Sequence, residues 1–415
     1  MNKTAAKRAF TEALKFVKWL LIAAATGLAC GLAGGLFHFS VDKATEWFGE
    51  VPQLLYLLPA AGLLIALLYR TCRLPVSIGT DRVFESTRSD EGVPPLMAPL
   101  IFISSFLTHL FGGSSGREGA ALQLGAGIAG MGGRLLKLNR DETHVIELCG
   151  MSALFSALFG TPVAAAFFAV EVVDVGLIHY RALFPCVLSA VAAYLTAGFM
   201  GVEPTRFVLP EEAFTASAWP LFKVIVLSSL CGLLAILFCK AMHFSGKTLR
   251  RLIPNDYARI FAGGAAVVLI TLLLGTRDYN GAGMGVIRRA LNGDAKPEAW
   301  ILKLLLTCVT LGAGYKGGEI VPSLFVGSTF GALAGGLLGL NPAFSAAAGM
   351  IAVFCGVTNT PAASILMAVE MFSGAYFLPL ALSACVSFLI SGRCSLYHSQ
   401  RFLESKYAWK SSADE

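Results

Sequence analysis

Two short clusters set ionisable side chains among glycines in otherwise apolar sequence, Gly113-Ser-Ser-Gly-Arg-Glu-Gly119 and Gly314-Tyr-Lys-Gly-Gly-Glu-Ile320. An ionisable residue in such a setting is expensive to bury and marks function by default. Arg117 and Glu118 are flanked by Gly113, Gly116 and Gly119, and the apolar segment 120–136 follows, so the spacing predicts a flexible loop feeding a helix N-terminus. Such a terminus offers free N–H groups and the positive end of the helix dipole, a ready anion site. Gly317, Gly318 and Glu319 repeat the design, with Pro322 suited to a first helical turn. Two such termini meeting inside a membrane would hold an anion. A carboxylate at each can fill that site when ionised and leave it when protonated, and burial favours the neutral form of a carboxyl. Proton exchange coupled to anion binding is therefore chemistry these residues can do. The plainer reading, an Arg117–Glu118 pair that steadies a loop, does not explain the duplication.

Other polar residues carry weaker signals. Glu171 and Glu370 each end an apolar helix, which points to a shared structural role in capping or in pairing with a basic residue. His38, His109, His144, His179, His243 and His398 show no metal-ligand spacing and read as lone interfacial residues. Tyr397, in Ser395-Leu-Tyr-His-Ser399, follows the last apolar run, where a belt tyrosine is expected. Gly113-Ser-Ser-Gly116 fits the G-x-S-G pattern of an intramembrane serine protease, which needs a histidine base in a neighbouring span. His179 is a later candidate, yet it lies outside the apolar runs, and Arg117 and Glu118 crowd Ser115 with charge. Ser245-Gly-Lys-Thr248 is no phosphate-binding loop, because Ala241 stands where the first glycine belongs. Most cysteines, Cys30, Cys149, Cys231, Cys239, Cys308, Cys355 and Cys385 among them, sit in apolar runs and none forms C-x-x-C, so they read as small hydrophobes.

The elements that must position these groups are membrane helices. Of the 415 residues 56% are hydrophobic and 14% charged, against about 45–50% and about 25% in a soluble domain. No charge occurs in the 50 residues from Ile320 to Val369, more than twice the roughly 20 that span a bilayer. The chain is therefore expected to be an all-α polytopic membrane protein, which excludes soluble enzymes and free nucleic-acid binders. Lys3, Lys7, Arg8, Lys15 and Lys18 precede the first apolar run and predict a cytoplasmic N-terminus. That run, 19–41, is too long for a signal-peptide core and has no clear cleavage site. Several later runs, such as 224–239 and 304–315, are too short to cross unaided, and the 44 glycines interrupt many of them. Most of these glycines suit close helix packing. Helices that stop inside the membrane must line a protein-enclosed cavity with their free backbone groups. From 150 and from 349, two stretches align without gaps at an offset of 199, matching at ten of 22 positions, with Thr-Pro and Val-Glu both in register. The chain thus divides into a basic segment 1–18, related halves 19–200 and 215–395, and a C-terminal segment 396–415. Transporters built from repeats place their substrate at the repeat interface near mid-membrane. The repeats are inverted if the intervening segments cross an odd number of times.

At these residues the sequence resembles the CLC family of anion channels and anion/proton antiporters, over essentially 20–400. Gly116-Arg-Glu-Gly119 resembles the family's gating-glutamate motif, and Gly318-Glu-Ile-Val-Pro322 its second anion-site motif. The Thr-Pro…Val-Glu repeats resemble its paired helices, and Tyr397 falls where its anion-coordinating tyrosine should be. The resemblance implies an inverted repeat of tilted, partly spanning helices whose N-termini meet at a mid-membrane anion site. It also implies a homodimer with one pore per subunit, both termini cytoplasmic, in a bacterial-type plasma membrane, with no cofactor. The 15 residues after Gln400 are too few for the regulatory domains some members carry, so no nucleotide control is expected.

The departures narrow the reading. Chloride-type members carry Gly-Ser-Gly-Ile-Pro where this chain has Ser77-Ile-Gly-Thr-Asp-Arg82. Ala120 replaces the proline after the gating glycine, and Val172 stands at the position of the inner proton-transfer glutamate. Glu319 puts a carboxylate where chloride-type proteins have an apolar residue. This combination resembles the fluoride-exporting branch, which implies gating and proton-coupling roles for Glu118 and Glu319. The same resemblance puts Gly79 or Thr80 in place of the branch's methionine. Gly116, Arg117, Gly119, Gly318, Ile320, Val321 and Tyr397 would then line the anion path. Fluoride is small and strongly hydrated, and a protonated carboxyl is a strong donor that can offset its dehydration. The expected activity is proton-coupled fluoride export, with chloride/proton exchange or a chloride channel as the alternative.

Overall fold

The computed structural model describes residues 3–89, 92–210 and 213–407, with side chains from residue 10 onward. Lys3, Lys7 and Arg8 of the basic segment lie outside the described side chains, and 408–415 of the C-terminal segment outside the described residues. Eight helices precede residue 200: α1 (Lys3–Glu50), α2 (Leu58–Thr71), α3 (Thr80–Ser86), α4 (Met97–Leu110), α5 (Glu118–Leu135), α6 (Arg140–Phe159), α7 (Pro162–Glu171) and α8 (Tyr180–Phe199). Eight follow: α9 (Ala218–Leu252), α10 (Asp256–Leu274), α11 (Met284–Leu291), α12 (Ala299–Ala313), α13 (Ile320–Leu337), α14 (Pro342–Thr358), α15 (Pro361–Met371) and α16 (Phe377–Ile390). Among the described residues six helices are long and apolar enough to cross a membrane, and six more apolar ones have 10–17 residues. The charge-free stretch from Ile320 to Val369 is not a pair of spans. It folds into α13, α14 and most of α15.

Local chemistry fixes these boundaries. Asn139 caps α6 in a reciprocal box with Glu142, and Asn341 caps α14 by accepting from Ala343 and Phe344 N–H. Gly160 and Asn359 then end α6 and α14 in the left-handed conformation. The repeated Thr-Pro follows each, with Pro162 and Pro361 at the first turns of α7 and α15.

The halves pack alike: α1 lies on α4, α6 and α8, as α9 lies on α12, α14 and α16. In both, the helix that follows the charged glycine cluster, α5 or α13, crosses its successor at paired glycines. A Cβ on Gly125 would lie 2.1 Å from the Gly150 carbonyl oxygen, and one on Gly327 2.5 Å from that of Gly349. Backbone-to-backbone contact of this kind is how membrane helices gain packing energy where lipid supplies no hydrophobic drive. α6 has 20 residues and α14 has 17, so the offset between halves is 202 at Asn139 and Asn341 but 199 from Gly150 onward.

The carboxylates at the ends of α7 and α15 show how the halves are related. Glu171 accepts from Ala362 and Ala363 N–H at 3.1 and 3.0 Å, while Glu370 accepts from Val163 and Ala164 N–H at 3.0 and 2.8 Å. Each helix is thus capped at its N-terminus by the C-terminal glutamate of its counterpart, which requires α7 and α15 to run antiparallel. The halves are inverted relative to each other. A second reciprocal contact, Gly116 N–H to Gly318 O at 2.7 Å and Gly318 N–H to Gly116 O at 2.6 Å, marks the same two-fold relation. Beyond α16, strand β2 (Arg401–Phe402) pairs in parallel with β1 (Asp174–Val175) and ties the tail to the first half.

Candidate functional site

The Gly116–Gly318 bridge brings the N-termini of α5 and α13 together. No side chain is tolerated there: a Cβ on Gly318 would lie 2.3 Å from Gly119 N, and one on Gly119 2.8 Å from Gly318 Cα and 2.9 Å from Glu319 Oε2. Glycine at these positions is what lets two chain segments cross at the molecule's centre. Glu118 opens α5 and is 4% exposed. Its Oε2 accepts from Arg117 N–H at 3.0 Å, so the carboxylate covers its own helix terminus, where an anion would otherwise sit. Arg117 Nε stands 3.7 Å from Glu118 Oε1, and its guanidinium pairs with Asp42 at 2.7 Å. Asp42 in turn meets His38 at 3.0 Å.

Glu319 precedes α13 and is held differently. Its Oε2 is buried, lies against the first turn of α5, and has no hydrogen-bond partner. Ile320 and Val321, both buried, open α13 with N–H groups that a helix leaves without intrahelical acceptors. Thr80, the first residue of α3, is also buried, but its hydroxyl donates to Gly119 O at 3.4 Å and accepts from Gln123 Nε2 at 3.2 Å. The one donor of Thr80 is thus already used by the first turn of α5. Gly79 lines the cavity beside Glu319 instead.

Tyr397 is not a belt residue. It is 3% exposed, packs edge-on against Phe84 with ring centroids 4.8 Å apart, and its hydroxyl has no partner. The tail is clamped around it. Ser399 donates to Asp81 through both N–H and hydroxyl at 2.8 Å, and Gln400 Nε2 donates to the carbonyls of Val172 and Thr358 at 2.7 Å.

Two cavities approach the bridge. The first, about 620 Å³, is lined by Asp42, His109, Arg117, Glu118, Arg277 and Asp278. The second, about 150 Å³, is lined by Gly79, Gln123, Arg250, Lys316 and Glu319. The first reaches Glu118 and the second Glu319, and each is walled by the loop that precedes a short helix, α11 in the first and α3 in the second. A buried lysine holds each loop by two carbonyls: Lys303 bonds Tyr279 O and Gly281 O, and Lys316 bonds Val76 O and Ile78 O. The sequence placed Lys316 in the second cluster without a role, and gave no role to Lys303, Gln123, Asp42 or Gln400. Only the lysines carried a signal, being charges within apolar sequence.

The protease reading does not survive. Ser115 Oγ has no partner, and His179 is bonded to Asp174 at 3.0 Å in the loop after α7. Ser245-Gly-Lys-Thr248 lies in the continuous helix α9, with Ser245 donating to Cys308 O.

Fold and site together define a polytopic membrane transporter: an inverted helical repeat whose paired helix N-termini meet at buried carboxylates. Residues 61–392 match the voltage gated chloride channel family, and the chain belongs to that CLC family. It is 37% identical over 398 residues to a chloride/fluoride channel protein of Pseudomonas syringae pv. tomato, covering 94% of this chain and 88% of the relative. It is 26% identical over 408 residues to the H(+)/Cl(-) exchange transporter ClcA of Vibrio vulnificus, covering 90% and 86%. Its fold matches the crystal structure of a CLC-type fluoride/proton antiporter with a TM-score of 0.90 at 30% identity, covering 94% of this chain and 99% of that one. The chain is accordingly a multi-pass membrane transporter of the CLC anion/proton antiporter family, not an enzyme, and such transporters need no cofactor.

Proposed function

We propose that this protein is a fluoride/proton antiporter that exports fluoride from the cytoplasm. The observation that carries this reading is the second carboxylate: Glu319 faces the crossing point with one oxygen unpartnered, opposite Glu118. A neutral carboxyl at that place donates a hydrogen bond to an ionised acceptor, and such charge-assisted bonds are roughly twice as strong as neutral ones. Fluoride, a strong acceptor, gains most from such a donor. The relative named for chloride and fluoride and the fold of the fluoride/proton antiporter support the same reading. Glu118 and Glu319 carry protons inward while fluoride passes outward. Gly116, Arg117, Gly119 and Gly318 form the crossing, and Ile320, Val321 and Tyr397 line the path with Gly79 and Thr80. Both cavities and both carboxylates belong to one chain, which supports one pore in each subunit of the homodimer that the family resemblance implies. The end bearing Lys15, Lys18 and Arg250 faces the cytoplasm of a bacterial plasma membrane, as the positive-inside rule requires.

The test is transport by purified protein in fluoride-loaded liposomes, followed with fluoride and pH electrodes. Opposed fluoride and proton fluxes that exceed those with chloride, and lose their coupling in Glu118→Gln, are expected. Equal or faster chloride flux would make the protein a chloride/proton exchanger of the same family.

A further inference from the structure

Asp42 lies on α1 and lines the same cavity as Arg117 and Glu118. Its Oδ1 accepts from Arg117 Nη1 at 2.7 Å, and its Oδ2 meets Nε2 of His38, one turn earlier on the helix, at 3.0 Å. A carboxylate only accepts, so Nε2 of His38 carries a hydrogen and fixes the second oxygen. Arg117 Nε is 3.7 Å from Glu118 Oε1, beyond hydrogen-bond reach. The guanidinium thus lies beside two carboxylates and is bonded to one of them, and that one is not Glu118. The Asp42 side chain is 54% exposed, and an ion pair open to water adds little to stability. What the pair settles is which carboxylate the guanidinium serves.

We propose that Asp42 is a positioning residue that withholds Arg117 from Glu118, leaving Glu118 able to take a proton and quit its helix terminus. The inference rests on Glu118 being the proton-coupling carboxylate. A guanidinium grips a carboxylate with two parallel N–H bonds. Were Arg117 to close the 3.7 Å gap, it would hold Glu118 ionised and in place. In the present arrangement Glu118 Oε2 is held by the backbone N–H of Arg117 at 3.0 Å. Proton uptake weakens that bond, because the charge that assists it is gone. A bidentate ion pair would have to be given up whole.

The other charged groups around the cavity have partners of their own. Lys43 pairs with Glu46 along α1 at 2.9 Å, and Arg277 bonds the carbonyls of Phe48 and Gly49. Asp278 pairs with Arg289 at 2.8 Å and with Lys296 at 3.3 Å, and Lys303 of α12 bonds the Tyr279 and Gly281 carbonyls. His109 of α4 has its Nδ1 on the Ser105 carbonyl at 2.8 Å. Among the described residues, Asp42 and Glu118 are the two carboxylates placed to contend for Arg117.

The experiment uses the full chain in liposomes and reads proton uptake driven by a fluoride gradient over a range of pH. Asp42→Asn frees Arg117 to pair with Glu118. Coupled uptake should then need a pH about one unit lower for the same rate, the low end of what a contacting opposite charge does to a carboxyl. Asp42→Ala also removes the charge, and should show the same shift if the asparagine variant does not fold. The shift should vanish on an Arg117→Gln background, where no guanidinium is left to free. A residue that only braces the fold would change the rate and leave the pH profile in place, so a wild-type profile in Asp42→Asn or Asp42→Ala overturns the proposal. A shift that persists without Arg117 also overturns it, because Asp42 would then act through its own field. If Glu118→Gln itself stays coupled, the role given to Glu118 fails and the inference falls with it.

Discussion

Glu118 and Glu319 sit 201 residues apart in sequence and on either side of one backbone crossing, yet they are held in different states. Glu118 occupies its helix terminus through the Arg117 N–H and is flanked by the Arg117–Asp42 pair. Glu319 keeps an oxygen free. If that oxygen, once protonated, is the donor that selects fluoride, Glu319→Leu removes a hydrogen bond to a charged group, worth about 1.5–3 kcal/mol. Fluoride-over-chloride selectivity, read from parallel electrode fluxes, should fall about ten- to a hundredfold while the fold persists. Both glutamates were legible in the sequence because an ionisable group among glycines in apolar sequence advertises its cost. His109 read as a lone interfacial residue, and only the fold shows it buried beside the first cavity, with α1 and the loop before α11 on the other walls. Gln123 and Gln400 are neutral amides, and composition gives no hint that one braces Thr80 and the other clamps the tail.

At the level of elements, the repeated Thr-Pro and Val-Glu read correctly as paired structural features, because proline and a left-handed cap act locally. The partner of each glutamate could not be read, since it belongs to the other half of the chain. Glu171→Ala leaves the Ala362 and Ala363 N–H groups unpaired and should cost about 1–3 kcal/mol for each that is shut from water. Glu171 is buried while Glu370 is half-buried, so Glu370→Ala should cost less. Thermal unfolding in detergent measures the difference, and equal losses would contradict unequal burial as the cause. The β1–β2 tie responds to acid instead. Burial alone would push the Asp174 carboxyl up, but the His179 hydrogen bond and the Arg88 charge outweigh it and hold it below the ordinary aspartate range. A carboxyl with a lowered folded value lends stability above its unfolded value, about 3.9, and loses it as pH falls through the lower one. Hydrogen exchange across 396–407 should therefore stay constant at neutral pH and rise below about pH 4. Exchange that stays flat well below the ordinary aspartate range would show that the Asp174 pair does not hold the tail.

Across the whole molecule the two ends differ in charge. Lys15, Arg88 and Arg181 line one cleft with Asp141, Glu142 and Asp174; Arg82, Arg88 and Arg401 line a second with Glu85; and Arg250, Arg259 and Lys316 line the cavity that reaches Glu319. The other end mixes Asp42, Glu46 and Asp278 with Lys43, Arg277 and Arg289 around the cavity that ends on Glu118. The loops that wall the cavities, before α3 and before α11, come one from each half of the inverted repeat, so the two cavities open to opposite faces. The proposed orientation, with the Arg250 end in the cytoplasm by the positive-inside rule, then fixes which cavity each face can reach. Met284 lines the first cavity and Gly246 the second, where a Cβ would meet nothing nearer than Arg250 at 3.6 Å. Met284→Cys should therefore react with a membrane-impermeant thiol reagent in intact cells, and its fluoride flux should fall. Gly246→Cys should react only after the cytoplasmic face is exposed. Wild type, whose Cys72, Cys385 and Cys394 are at least partly exposed, sets the background. Reaction of both variants from one face would contradict the two-fold relation between the cavities. Reaction of Gly246→Cys alone in intact cells would keep that relation and reverse the orientation, and the carboxylate that first meets external protons would then be Glu319.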